Sequence, residues 1–483
     1  MDKSSVMLRR RLRILCAALA IALAVCVLPA RGQDFRAQVT REISAEGRAR
    51  VDRIAQQVLG DTGVPSASIA IVLDGQIFYV HAYGNARLNP TVPARPEMAY
   101  SIGSVSKQFT STAMLMLAEQ GKLSLDDKVA KYLPSLTRAN EVTIRELLSH
   151  TSGYQDYWPQ DYVPPFMTRP ITATEILEVW ARKPLDFDPG TKWQYSNTNY
   201  VIAGVIIEKV SGEPLLQFLQ EHVFTPLKMR GIENVDLKAL PETDATGYMR
   251  YALGPPRVAP KEGPGWLFAA GELAMPAEEL AKWDIGILQE TLLKHATYKE
   301  METEVKLKDG GATGYALGLS TGDVDGHKAL RHGGEVSGFT SQNYIFPDDH
   351  AAIVVLTNQD ASGAAGMIGR QIASLILDNR NNADAAKLTR DRKIFEELQH
   401  GRIDRTLFTS NANAYFTEQA LADYGSSLGA LGQIQQFVQT GAQLRGGMIF
   451  RAYRVSFAKR NVIISIYEMP DGKIEQYLVE PVE

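Results

Sequence analysis

The chain has 483 residues, 45% of them apolar and 22% charged, with a formal net charge of −4. That composition excludes a disordered or fibrous chain, and the length favours two domains over one. No basic tract follows the first residues, which argues against nucleic acid as a partner.

In chain order, Arg9, Arg10, Arg11 and Arg13 precede an apolar stretch from Ile14 to Leu28. It is too short and wrongly flanked for a good membrane span but fits a secretory signal. Ala30-Arg31-Gly32 supplies small residues for cleavage, so residues 1–32 are expected to be a signal peptide. The protein is then exported, periplasmic or extracellular. The alternative is an uncleaved anchor, which would be its membrane attachment. Removing the leader deletes six basic groups and one acid and takes the net charge from −4 to −9. Both cysteines, Cys16 and Cys26, lie in the leader, so the mature chain has no thiol nucleophile, disulfide or cysteine metal site. Val25 stands where a lipoprotein signal at Cys26 wants a small residue.

A helical pattern follows around Val51, Ile54, Ala55 and Val58. Ser66–Leu73 and Gln76–Tyr83 are apolar runs separated by Asp74-Gly75, a strong hairpin signal. A helix is predicted from Val105 to about Gln120, then a helix-rich middle broken by Pro134, Pro164, Pro189 and Pro226. Ala316–Thr321, Lys328–His332, Thr340–Phe346 and Ala351–Thr357 read as strands, and Ala364–Leu377 as a helix. Strands at both ends of a helical middle predict an α+β domain whose sheet joins the first hairpin to the late strands. Residues 379–388 read as a polar linker. Residues 389–483 read as a small α+β domain, with helices at Arg390–Leu398 and Thr417–Leu428. Strands follow at Ile434–Thr440, Met448–Ala458, Asn461–Glu468 and Lys473–Val482. Its aromatics Tyr415, Phe416, Phe437 and Tyr453 read as core, and it carries no catalytic cluster.

Three motifs carry chemistry. Ser104 and Lys107 lie three apart at the start of the predicted helix and so share a face. A neutral lysine one turn from a serine can take its proton. Ser456 and Lys459 have the same spacing on a predicted strand, where residues three apart face opposite sides. Tyr195-Ser196-Asn197 follows a turn at Asp188-Pro189-Gly190, and in extended chain Tyr195 and Asn197 project together. The phenol would serve as a base if Lys107 lowers its pKa from the usual value of about 10. Tyr83-Gly84-Asn85 has the same pattern and competes with it. His332-Gly333-Gly334 ends a predicted strand, where the glycines let a substrate backbone lie close. His332 would donate a hydrogen bond or carry partial charge there.

In this order and spacing, Ser-x-x-Lys, Tyr-Ser-Asn and His-x-Gly resemble the penicillin-recognising serine hydrolases. The resemblance is to the branch of class C β-lactamases, D-alanyl-D-alanine carboxypeptidases and related esterases. Leu147-Leu148-Ser149-His150-Thr151-Ser152-Gly153, Phe187-Asp188-Pro189-Gly190, Pro226-Leu227-Lys228-Met229 and Gly338-Phe339 also match family segments. The resemblance spans roughly residues 45–380 and implies a β-lactamase/transpeptidase-like sheet flanked by helices, with a helical subdomain, over residues 33–378. It implies Ser104 as nucleophile, Lys107 and Tyr195 sharing acid/base work, and Asn197 beside Lys107. It further implies an oxyanion hole from the backbone N–H groups of Ser104 and Glu335. No metal or cofactor is implied. His332 stands where many relatives have lysine, which helps to hold a substrate carboxylate. Weak β-lactam turnover is therefore expected, with better activity on esters, amides or peptides, cell-wall fragments among them. The alternative is a non-catalytic peptidoglycan- or peptide-binding protein that keeps the fold.

Overall fold

A computed structural model describes residues 45–481, apart from 161, 379–381, 446–447 and 459. The expected leader lies outside the described residues. No helix among the described residues is long and apolar enough to cross a membrane.

The centre is a seven-stranded antiparallel sheet. Its strands are β1 (Ser66–Leu73), β2 (Gln76–Leu88), β3 (Thr91–Pro93), β4 (Ser320–Val324), β5 (His327–Val336), β6 (Phe339–Phe346) and β7 (Ala351–Thr357). Their spatial order is β3-β2-β1-β7-β6-β5-β4, so the first hairpin joins the late strands as expected. Asp74 and Gly75 both have positive φ, 52° and 70°, the geometry of a tight hairpin turn matched to the strand twist. β1 is central and buried along nearly its whole length, which its apolar run Ser66–Leu73 allows.

The two faces of β1 build two cores by strand alternation. Ala67, Ile69 and Ile71 pack under α1 (Ala45–Thr62) and α5 (Ala364–Asp378). Ala70 and Val72 face the larger core. That core holds α2 (Ser106–Glu119), α3 (Asn197–Ser211) and α4 (Ala277–Leu288). α2 is buried at all but its last residues, so the helix that carries Ser104 and Lys107 at its start is fixed from all sides.

Two expectations are corrected. Ala316–Leu319 is not strand; the chain loops there, with Gly318 at φ +82° packed so tightly on α2 that a Cβ would lie 2.5 Å from Ser111 Oγ. The strand begins only at the polar Ser320. Residues 382–388, read as linker, are the first turns of α6 (Asn382–Leu398).

The C-terminal unit has its own core, in which Ile394, Phe395 and Leu398 of α6 meet Tyr453 and Ile464. These come from a four-stranded antiparallel meander, β8 (Gln436–Arg445), β9 (Met448–Ser456), β10 (Asn461–Glu468) and β11 (Ile474–Pro481). Phe416, Phe437 and Tyr453 are core as expected, but Tyr415 is 52% exposed. Ser456 lies on β9, a strand as expected, and Lys459 is outside the described residues.

Candidate active site

Ser104 sits in a single 3-10 turn, Gly103–Val105, that runs straight into α2. Lys107, in the first turn of α2, is wholly buried. Its Nζ lies 2.8 Å from each of Ser104 Oγ, Asn197 Oδ1 and the Ala270 carbonyl. None of the three is a carboxylate. Burial therefore lowers its pKa to about 7, opposed by the more distant charge of Asp156. A neutral amine with two N–H bonds and one lone pair matches this set, donating to Asn197 and Ala270 and accepting from the serine hydroxyl.

Tyr195 arrives on extended chain: Ser196, at φ −150° and ψ 119°, caps α3, and Asn197 is its first residue. Lys107 Nζ lies 5.0 Å from the centre of the Tyr195 ring. The tyrosine ring is partly exposed in the cleft while its hydroxyl oxygen is buried and makes no hydrogen bond of ordinary geometry. Burial pushes this phenol well above the usual tyrosine range, with the nearby Ser104 hydroxyl pulling the other way. The expected lowering by Lys107 is not found: desolvation of the phenolate dominates, and Tyr200 and Asp156 push in the same direction. Tyr195 thus stays protonated and is a donor.

His332 corrects a second expectation. Its Nε2 lies 2.8 Å from the Tyr315 hydroxyl and its Nδ1 2.6 Å from the Gly333 carbonyl. Nδ1–H donates to Gly333, which leaves Nε2 to accept from Tyr315. Burial, helped by the Lys107 charge, lowers the imidazole to about 3. Both nitrogens are engaged inside the protein and the ring is neutral, so it brings no charge to the cleft. It remains close to the other groups, 6.2 Å from Tyr195 between ring centres.

The glycines differ in their duties. A Cβ on Gly334 would meet the Ile102 carbonyl at 1.9 Å, whereas one on Gly333 would meet nothing nearer than 3.6 Å. Only Gly334 is demanded by the close approach of β5 to the serine turn. That approach brings the Glu335 amide beside Gly103, where a Cβ would lie 2.8 Å from Glu335 N. β4 pairs with β5 only as far as Arg331, so from His332 onward no described strand covers that side of β5.

Several residues here went unread in the sequence. Asp156 accepts from Asn197 N at 3.0 Å and Asn197 Nδ2 at 3.3 Å, turning Asn197 Oδ1 toward Lys107. His150, in the Leu147–Gly153 turn, packs on Tyr195 and accepts from Ser196 N at Nδ1. Tyr315 fixes the His332 tautomer. The competing Tyr83-Gly84-Asn85 is elsewhere: Tyr83 donates to Asp52 of α1 at 2.7 Å. A cleft of about 830 Å³ opens over the group, lined by Ser104, Asn197, Tyr195 and His332 among others.

A serine on a helix start, a buried lysine beside it and a long β5 edge define a serine hydrolase of the β-lactamase/transpeptidase-like fold. The beta-lactamase family model matches residues 51–376, and the chain belongs to that family. Protein flp of Staphylococcus aureus strain MW2 is 27% identical over 363 residues, 73% of this chain and 71% of that protein. Penicillin-binding protein 4* of Bacillus subtilis strain 168 is 26% identical over 318 residues, 63% of this chain and 70% of that protein. Among solved structures, a D-stereospecific amidohydrolase from Streptomyces sp. is 27% identical with a TM-score of 0.60, covering 68% of this chain and 98% of that one. The octameric penicillin-binding protein homologue from Pyrococcus abyssi, 22% identical with a TM-score of 0.61, covers 90% of this chain and 96% of that one. That coverage reaches into the C-terminal unit, so the two-part architecture recurs in another fold member.

Proposed function

We propose that this protein is an exported serine hydrolase that opens an amide or ester bond through an acyl group on Ser104. The observation that carries the reading is the 2.8 Å contact between Ser104 Oγ and the Nζ of a buried lysine whose pKa is lowered to about 7. Lys107 takes the hydroxyl proton as Oγ attacks the carbonyl carbon. The N–H groups of Ser104 and Glu335 hold the developing oxyanion, a contribution on the order of 100- to 1000-fold per donor. The Tyr195 hydroxyl hands a proton to the leaving nitrogen or oxygen as the bond breaks, and the proton held by Lys107 restores the phenol. Water then takes the place of the leaving group, and the same groups return Ser104 to its free form. Asn197, held by Asp156, keeps Lys107 in place.

The similarity to the Streptomyces amidohydrolase supports amides as substrates. Neutral His332 supports weak turnover of β-lactams, whose carboxylate finds no cation there. Export rests on the leader sequence. The test is a fluorophosphonate probe followed by intact mass. One adduct on the wild type and none on Ser104→Ala supports the hydrolase, and a folded protein without adduct supports the peptidoglycan- or peptide-binding alternative.

A further inference from the structure

One turn of chain beside Lys107 is held in a conformation that its sequence disfavours. Phe268 has φ +29°, in the left-handed region that a bulky residue rarely enters. It opens the short helical turn Phe268–Gly271, whose carbonyls lie on α2. The Ala269 carbonyl accepts from Thr110 Oγ1 at 2.7 Å, and the Ala270 carbonyl from Lys107 Nζ at 2.8 Å. The Phe268 ring packs on Gly204 of α3, where a Cβ would lie 2.6 Å from its Cε1. A buried carboxylate holds the strained residue in place. Asp236 is 5% exposed, and its Oδ1 accepts from the Gly265 and Leu267 amides, each at 2.9 Å. Its Oδ2 accepts from the Phe268 amide at 3.0 Å. Asp236 is fixed in turn: its amide donates to Asn234 Oδ1 at 2.9 Å, and Glu233–Asn234 pairs with Leu273–Ala274. Strain of this kind persists only where the surroundings over-determine it, and three backbone donors on one buried carboxylate do so.

We propose that Asp236 is a positioning residue of this site: it pins Phe268 in the left-handed turn and thereby keeps the Ala270 carbonyl on Lys107. The inference goes beyond the hydrolase reading and rests on it, since the lysine acts there as the base. Without the clamp Phe268 relaxes to negative φ. A changed backbone angle two residues before Ala270 swings that carbonyl off the amine, and Lys107 loses one of the three contacts that aim it at Ser104. Asp236 acts through Phe268, Ala270 and Lys107 in turn and not on the substrate.

The test is the kinetics of Asp236→Asn, alone and combined with Phe268→Gly, on p-nitrophenyl butyrate, with active sites counted by fluorophosphonate adduct. Asn turns an N–H donor toward at least one of the three amides, and Gly adopts positive φ without strain. Expected in Asp236→Asn is a kcat per labelled site about 100-fold below wild type, with KM little changed. In the Phe268→Gly background the same substitution should cost only a few-fold. The acid limb of kcat/KM should move to lower pH in Asp236→Asn, because the ammonium form of Lys107 loses a carbonyl acceptor that favours it. Asp156, His150, Tyr195, Tyr200 and His332 face Lys107 and are the same in every variant. The double variant lacks the same carboxylate, so a limb that returns there toward its wild-type position assigns the shift to the carbonyl and not to the lost charge. A kcat unchanged in Asp236→Asn, an equal loss in both backgrounds, or a limb that stays in place or remains shifted in the double variant overturns the inference. If Asp236→Asn alone does not fold, recovery of folded, active protein by Phe268→Gly supports the inference, and failure to recover overturns it. All of these outcomes leave the hydrolase reading standing when the wild type is labelled on Ser104; a folded wild type without adduct overturns both.

Discussion

The imidazole of His150 lies against the phenol ring of Tyr195, with ring centres 4.2 Å apart and planes inclined by 35°. The same histidine accepts from the Ser196 amide through Nδ1, at 3.2 Å. Burial lowers it well below the ordinary histidine range, so it is neutral and acts as a wall and an acceptor, not as a base. It therefore positions Tyr195 without touching the reacting atoms. His150→Ala should lower kcat by about 100-fold, the cost of an ångström-scale misplacement, with little change in KM. His150→Phe keeps the ring face and should recover part of the loss. Steady-state kinetics on an aryl ester check this; an Ala variant with wild-type kcat would remove the positioning role.

The pH dependence follows from Lys107. Its pKa is lowered to about 7, so the neutral, proton-accepting form appears as pH rises through that value. Activity should climb through pH 7 and level off above it. Asp156 is the charge that raises this pKa, so Asp156→Asn should move the acid limb to lower pH. A profile of kcat/KM for both forms decides it, and a limb that moves upward in the variant would contradict the assignment.

The same shift makes a statement about stability. Between the folded value of about 7 and the ordinary lysine value of 10.5, the unfolded chain binds a proton that the folded chain does not. Stability arising from this group therefore rises with pH across that window and is lowest below pH 7. Lys107→Met removes the buried amine and should abolish turnover while leaving the melting temperature at pH 7 no lower than that of the wild type. A variant that melts several degrees lower would show that the three hydrogen bonds outweigh the cost of burial.

The oxyanion assignment is tested by a methyl group. Gly103 has φ +52°, and a Cβ there would lie 2.8 Å from Glu335 N. Gly103→Ala should push the two proposed donors apart and lower kcat on the order of 100- to 1000-fold. Gly333→Ala, with nothing nearer than 3.6 Å, should cost far less than Gly334→Ala, which meets a carbonyl at 1.9 Å. Equal losses at 333 and 334 would contradict the account of β5.

The proposed weak turnover of carboxylate-bearing substrates rests on the neutral ring of His332. His332→Lys places a cation where a neutral ring now bonds Tyr315 and Gly333. Hydrolysis of a chromogenic cephalosporin, measured relative to a neutral aryl ester, should rise about tenfold. A ratio that stays level or falls would show that something other than this charge limits β-lactam turnover.

What the sequence made legible was what depends on local spacing. Ser104, in the turn that leads into α2, lies beside Lys107, Tyr195 and Asn197 both line the cleft although Asn197 already begins α3, and Asp74-Gly75 closes its hairpin; each pairing is one of local spacing. The missing parts depend on chain path. The Ala270 carbonyl has no side-chain signature at all, and Asp156 sits in irregular chain, three residues past Gly153. The pKa errors at Tyr195 and His332 share one cause: burial acts on both, and its size cannot be read from neighbouring residue types. Ala316–Leu319 was misread because a buried apolar run is strand-like in composition even where Gly318 turns it. Residues 382–388 were misread because their polarity outweighed Ala383, Ala385, Ala386 and Lys387, all good helix formers.

The central claim is that the Ser104 hydroxyl is made nucleophilic by a buried neutral lysine. The most direct measurement is the rate of fluorophosphonate adduct formation, followed by intact mass across pH 5 to 9. The account predicts a single adduct on the wild type whose rate rises through about pH 7, a rate at least about 100-fold slower in Lys107→Met, and no adduct in Ser104→Ala. An adduct that persists in Ser104→Ala, or a Lys107→Met protein labelled as fast as the wild type, would contradict it.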